Sequence, residues 1–149
     1  MKILIDTNST EPYLTKIIDL IQNRLIELNI DVVNLSTVEN STSLLRYKLA
    51  NQLSKSENCT LIVINLSNYC DIIVSPNACS YSRKLATLLA INIKSMLQFT
   101  HNCKYYQEMN LTVFKNTSMP TVLVNLEIGN DCELIIKGIC DYLGIAYDR

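Results

Sequence analysis

Apolar positions along this chain follow two rhythms. Residues 2–6, KILID, are short and almost wholly apolar, the pattern of a strand buried on both faces. After the polar turn TNST, the apolar positions Leu14, Ile17, Ile18, Ile21, Leu25 and Leu28 recur at helical spacing and predict an amphipathic helix to about Asn29. Ser9 or Thr10 is suited to cap it, with Glu11 and Pro12 in the first turn, where a carboxylate meets the helix dipole and proline loses no hydrogen bond. DVVNLS reads as a second strand. The run from Ser41 to Glu57 reads as a helix with Leu44, Leu45, Leu49 and Leu53 on its inner face.

The segments TLIVINLS (60–67) and DIIVS (71–75) are rich in β-branched residues and predict a central strand and a shorter one. Beyond the turn SPNACS, a long helix is expected from about Tyr81 to Phe99, followed by a polar loop holding the only histidine, His101. LTVFK and PTVLVNLEI then read as strands, and a helix runs from Asp131 to about Leu143. Strands alternating with helices predict an α/β domain of three layers, an open mixed sheet of about six strands flanked by helices. No repeat, linker or low-complexity tract interrupts the sequence, so residues 1–149 read as one domain.

Composition narrows the function classes. Hydrophobic residues make up 48%, charged residues 18%, and the net charge is -1, which fits neither a disordered tail nor an electrostatic nucleic-acid binder. No apolar run is long enough to span a bilayer, and Asp6 and Asn8 arrive too soon for a signal-peptide core. A cytoplasmic location is the expectation, with association to the cell envelope open by another route. The six cysteines, Cys59, Cys70, Cys79, Cys103, Cys132 and Cys140, form no C-x-x-C pair and read as reduced thiols, mostly small core residues. The Asn-, Ile- and Lys-rich usage is compatible with an AT-rich bacterial genome or its phage.

In open α/β sheets, ligands sit where strands deliver their carboxyl ends. That singles out three corners: Asp6 to Glu11, Asn65 to Tyr69, and Asn125 to Asn130. All are rich in Asn and Ser. The chain has three glycines, Gly129, Gly138 and Gly144, so none of these corners carries the Gly-rich loop of a dinucleotide or P-loop site.

The order of elements and several strings along the whole chain resemble the zinc-dependent N-acetylmuramoyl-L-alanine amidases, a family of cell-wall hydrolases with a compact α/β catalytic domain. ILIDTNST resembles that family's first strand and D-x-G-H-G-G turn, LLRYKLAN its helix ending R-x-x-x-A-N, and CTLIVINLSN its strand ending S-I-H-x-N. SRKLATLLAINI resembles the S-x-x-L-A helix, and LTVFKNTSMPTVLVNLEIGND resembles the stretch P-a-V-L-V-E-x-G-F-x-x-N with the strand before it. The resemblance implies an amidase-like fold. It also implies a zinc held by a histidine in the first turn, a glutamate opening the first helix and a histidine ending the central strand, with a second glutamate as general base toward the zinc-bound water.

By position, those four roles fall on Ser9, Glu11, Asn65 and Asn125, so one residue type of four is kept. Asn and Ser oxygens are poor zinc ligands beside imidazole nitrogen, and neutral Asn125 cannot accept a proton as a base. The expectation is therefore no catalytic residue, no metal site and no cofactor, the zinc being lost. Glu127, two residues on from Asn125, is the one substitute carboxylate to weigh, and His101 the one substitute imidazole.

These positions together predict an inactive amidase-fold protein that acts by binding a protein partner or a peptidoglycan fragment, with no nucleic acid and no membrane among its partners and self-association open. Three alternatives stay in view. One is an active amidase or other hydrolase with a non-standard site, for example a nucleophile near Ser67, Ser80 or Cys70, although no histidine stands beside these in sequence. Another is a structural or assembly module using tyrosine contacts such as Tyr105 and Tyr106. The last is a flavodoxin-like or other small α/β domain whose first turn never bound metal.

Overall fold

The computed structural model of the chain describes residues 1–99, 112–127 and 132–148. The described elements run β1 (Lys2–Asp6), α1 (Pro12–Glu27), β2 (Val32–Asn34), a single 3₁₀ turn (Leu35–Thr37), α2 (Ser43–Ser54), β3 (Cys59–Leu66), β4 (Asp71–Val74), α3 (Ser80–Ile93), β5 (Met96–Phe99), a helical turn α4 over residues 112–115, β6 (Thr121–Leu126) and α5 (Cys132–Leu143). Six strands form one sheet in the order β2-β1-β3-β6-β4-β5. β1, β2, β3 and β6 are parallel, whereas β4 lies antiparallel to β6 with β5 parallel to β4. The mixed sheet expected from the sequence is thus present, and its inner strands are buried on both faces.

Strand alternation divides the core in two. Ile3, Ile5, Ile62, Ile64, Val122 and Val124 face α1, α3 and α5, while Leu4, Leu61, Val63, Leu123 and Ile73 face Tyr47 and Ala50 of α2 and Val113 of α4. The apolar stripe of α1, Leu14, Ile17, Ile18, Ile21 and Leu25, is buried as its spacing predicts. α3 and α5 approach closely at Gly138, where an added Cβ would lie 2.8 Å from Leu89 Cδ2. Among the described residues no helix is long and apolar enough to cross a membrane.

Several local expectations are corrected. The run expected as a strand at 111–115 is helical over 112–115: the carbonyl of Thr112 accepts from the backbone N–H and side-chain amide of Asn116, and Val113 is buried against the sheet. The helix expected from Tyr81 to Phe99 stops at Ile93. Lys94 takes a left-handed conformation (φ 57°), Ser95 N–H bonds back to Ala90 O, and β5 follows. β5 thus supplies the sixth strand, in place of the one expected at 111–115.

The inner face of α2 is not its leucines. Leu44 and Leu45 are exposed, Leu49 and Leu53 are half-buried, and Arg46, Tyr47 and Ala50 are buried. α1 is capped by neither Ser9 nor Thr10: Glu11 is itself the N-cap residue, outside the first turn and without a side-chain cap bond, and Pro12 opens the helix. The thiols are mostly core, as expected: of the five described, Cys59 and Cys140 are buried, Cys70 and Cys132 are half-buried against the core, and Cys79 is exposed.

Candidate functional site

β1, β3 and β6 deliver their carboxyl ends to one side of the sheet, and antiparallel β4 begins at that same side. Register then fixes which side chains meet. Asn65 of β3 pairs with Asn125 of β6, and Asn125 pairs in turn with Asp71 of β4. Asp6, Asn65, Asn125 and Asp71 share the strand parity of Leu4, Val63, Leu123 and Ile73, so all four project toward the α2 side. All four are buried, forming a polar row across the end of an apolar sheet.

Each end of the row is tied by hydrogen bonds. On the β1 side, Arg46 Nε of α2 donates to Asp6 Oδ1 at 2.8 Å and its Nη2 donates to Thr7 O at 3.2 Å. Asp6 is wholly buried, and burial pushes its carboxyl above the ordinary carboxylate range against the pull of Arg46. Its second oxygen, Oδ2, is buried with no partner among the described residues. On the β4 side, Asn125 Nδ2 donates to Asp71 Oδ1 at 2.9 Å and Gln98 Nε2 to Asp71 Oδ2 at 3.1 Å.

The four positions singled out by sequence converge here. Asn65 Oδ1 accepts from the Thr7 hydroxyl at 3.2 Å and from Asn8 N–H at 3.0 Å. Thr7 Oγ1 accepts from Ser9 N–H, and Ser9 Oγ from Glu11 N–H, both at 3.1 Å. Ser9, Glu11 and Asn65 therefore lie along one hydrogen-bonded chain, and Asn125 stands beside Asn65. The Glu11 side chain itself is exposed, and Asn65 uses its carbonyl oxygen to hold the turn that follows β1.

Of the weighed substitutes, Glu127 is exposed and its Oε1 accepts from Cys70 N–H at 3.1 Å, fastening the turn before β4. His101, like Cys103, Tyr105 and Tyr106, lies outside the described residues. Cys70 Sγ accepts from the Ser95 hydroxyl, Ser67 N–H bonds to Leu126 O, and Ser80 opens α3 away from this row. Among the described residues, no three His, Cys, Asp or Glu side chains are grouped to hold a metal ion. Sequence reasoning missed Asp71, Gln98 and the Asp6–Arg46 pair. A charged residue opening the apolar run DIIV was the available signal for Asp71.

The strings that resemble those of the amidases have visible structural roles at the other end of the sheet. In the R-x-x-x-A-N string, Ala50 packs on the sheet, and Asn51 accepts from Ser118 N–H at 2.8 Å while donating to Asn116 O at 2.8 Å. In the S-x-x-L-A string, the Ser82 hydroxyl accepts from Thr121 N–H, with Leu85 and Ala86 buried. Pro120 O accepts from Leu61 N–H and so starts the pairing of β6 with β3.

This architecture, a mixed sheet with the turn after β1 and the ends of β3 and β6 converging, defines the fold of an amidase catalytic domain. The catalytic domain of CwlV, an N-acetylmuramoyl-L-alanine amidase from Bacillus (Paenibacillus) polymyxa var. colistinus, superposes with a TM-score of 0.65 at 16% identity, covering 98% of this chain and 100% of that one. The N-acetylmuramyl-L-alanine amidase of Mycobacterium smegmatis gives 0.72 at 10% identity, with 97% of each chain covered. The amidase AmiC2 of Nostoc punctiforme gives 0.65 at 15%, again with 97% of each covered. No family model and no curated protein sequence matches the chain.

Proposed function

We propose that this chain is a non-hydrolytic relative of the N-acetylmuramoyl-L-alanine amidases that acts by binding, to a protein partner ahead of a peptidoglycan fragment. The observation that carries the reading is the Asn65–Asn125 pair, at the positions the resemblance gives to a zinc histidine and the catalytic base, with Asn65 Oδ1 bonded to the β1 turn and Asn125 Nδ2 to Asp71. Ser9, Glu11, Asn65 and Asn125 do not fit zinc. They offer one carboxylate, exposed at a helix N-cap, and an amide oxygen that already takes two donors. The polar row instead holds the β1 turn and α2 in place. Incubation of the purified chain with peptidoglycan, with and without added zinc, is expected to release no peptide. Zinc-dependent release would contradict the reading.

Asp71 favours a second reading. It puts a carboxylate directly beside Asn125, one strand from the base position. An active amidase with a displaced base would show release that is lost in Asp71→Asn while the variant stays folded.

A further inference from the structure

α1 buries one stripe, Leu14, Ile17, Ile18, Ile21 and Leu25, and leaves the opposite side of the helix in solvent. At about 3.6 residues per turn, Lys16, Leu20, Asn23 and Glu27 fall along a single line, directly opposite the buried stripe. All four are exposed, and Ile26 flanks the line. Leu20 is 58% exposed and Ile26 53%, so this outer face shows water two large aliphatic side chains that the fold does not cover.

Reversed end to end, the line is complementary to itself. Lys16 opens it, Glu27 closes it, and Leu20 and Asn23 stand at equal distances from its midpoint. When two copies of α1 pack antiparallel about a two-fold axis, Lys16 of each meets Glu27 of the other, and Leu20 and Asn23 of both fill the centre. That packing also sets the positive N-terminus of each helix beside the negative C-terminus of the other, whereas a parallel one would put lysine against lysine and glutamate against glutamate. Both charges have capacity to spare. Lys16 makes no ion pair with a described residue, and Glu27 takes Arg24 Nη1 on Oε2 at 2.7 Å, with no partner at Oε1 among the described residues. A net charge of -1 adds little repulsion between whole chains.

We propose that this chain self-associates through the outer face of α1, as a two-fold dimer in which the Lys16–Glu27 pair is made twice around a centre of Leu20 and Asn23. Three turns of one helix make a small interface, so the dimer is weak and forms as concentration rises. The charges of α1, Lys16, Asp19, Arg24 and Glu27, cancel, which gives nucleic acid and anionic lipid no net attraction to this face. α1 packs on the face of the sheet opposite the one to which Asp6, Asn65, Asn125 and Asp71 project. The dimer therefore leaves the polar row of both copies uncovered, and it does not depend on whether the chain hydrolyses or binds.

Sedimentation equilibrium of the full chain, carried to millimolar concentration, tests the dimer. The parent is expected to pass from monomer toward dimer. Lys16→Glu and Glu27→Lys each set like charges together at both ends of the interface and should weaken the dimer roughly tenfold, the scale of two exposed ion pairs reversed in sign. An equimolar mixture of the two variants makes every pair opposite in sign again and should recover the parent's association, which also shows that both variants keep their fold. A parent that stays monomeric at millimolar concentration, single variants that dimerise as the parent does, or a mixture no tighter than its components would each overturn the proposal. None of these outcomes bears on hydrolysis, which is read separately in the zinc and peptidoglycan assay.

Discussion

The two ends of the sheet are built differently. At the end where β3 and β6 begin, the contacts tie neighbouring elements to one another: Ser82 on Thr121 N–H, Asn51 on the 116–118 loop, Pro120 O on Leu61 N–H. At the end where those strands finish, polar side chains form a buried row, with Asn65 bonded to the β1 turn and Asn125 to Asp71. The first set of contacts holds the fold whatever the second does, and an amidase-like fold does not by itself carry the activity.

The comparison breaks most readily at Arg46, which α2 carries to the end where the strands finish. Arg46→Met leaves Asp6 buried without its cation and should cost about 3–5 kcal/mol in urea unfolding, whereas Asp6→Leu combined with Arg46→Met should recover most of that loss. A loss under about 1 kcal/mol in the single variant would mean the pair does not hold α2 to β1. Gly138→Ala comes next. Its methyl meets Leu89 at the α3–α5 contact, with an expected cost of about 1–3 kcal/mol by the same measurement.

Ser82→Ala and Asn65→Ala sharpen the contrast between the ends. Each removes an acceptor from a backbone N–H, that of Thr121 in one case and of Asn8 in the other. Each should cost about 1–3 kcal/mol, Ser82→Ala because the Thr121 bond is buried and Asn65→Ala because the buried Thr7 hydroxyl loses its acceptor together with Asn8 N–H. A loss confined to one variant would place the structural load at that end of the sheet.

The smallest effect is a pH slope. The Asp6 carboxyl lies above its ordinary value of 3.8 in the folded chain because burial outweighs Arg46. The stability gained from its protonated form is complete below that value and is lost as pH rises through the folded-state value. Unfolding free energies measured from pH 3 upward should therefore fall across that window relative to Asp6→Asn, in which the slope is absent. Parallel profiles would remove the raised value from the account.

How much of this was legible depends on where the information lies. α1 and β3 were readable because their apolar periods are long and consistent with their burial. β5 was hidden because Leu97 and its neighbours continue the apolar content of α3, and the helix is stopped by a left-handed lysine at Lys94, where no glycine marks the turn. Residues 112–115 were misread because LTVF carries strand propensity, while burial of Val113 and bonds to the Thr112 carbonyl favour a helical turn. α2 was turned the wrong way because Arg46 is drawn inward by Asp6, forty residues earlier, and a periodicity argument cannot see a distant partner.

The candidate site was legible as positions and not as contacts. Ser9, Glu11, Asn65 and Asn125 do converge, yet Asp71 joins them only because β4 enters the sheet antiparallel beside β6, a pairing that no local pattern specifies.

Zinc titration of the purified full chain by calorimetry, with elemental analysis of the same sample, tests the central claim most directly. The account predicts no stoichiometric zinc and no binding at micromolar concentration; about one tightly held zinc per chain would contradict it and return the strand ends to hydrolysis.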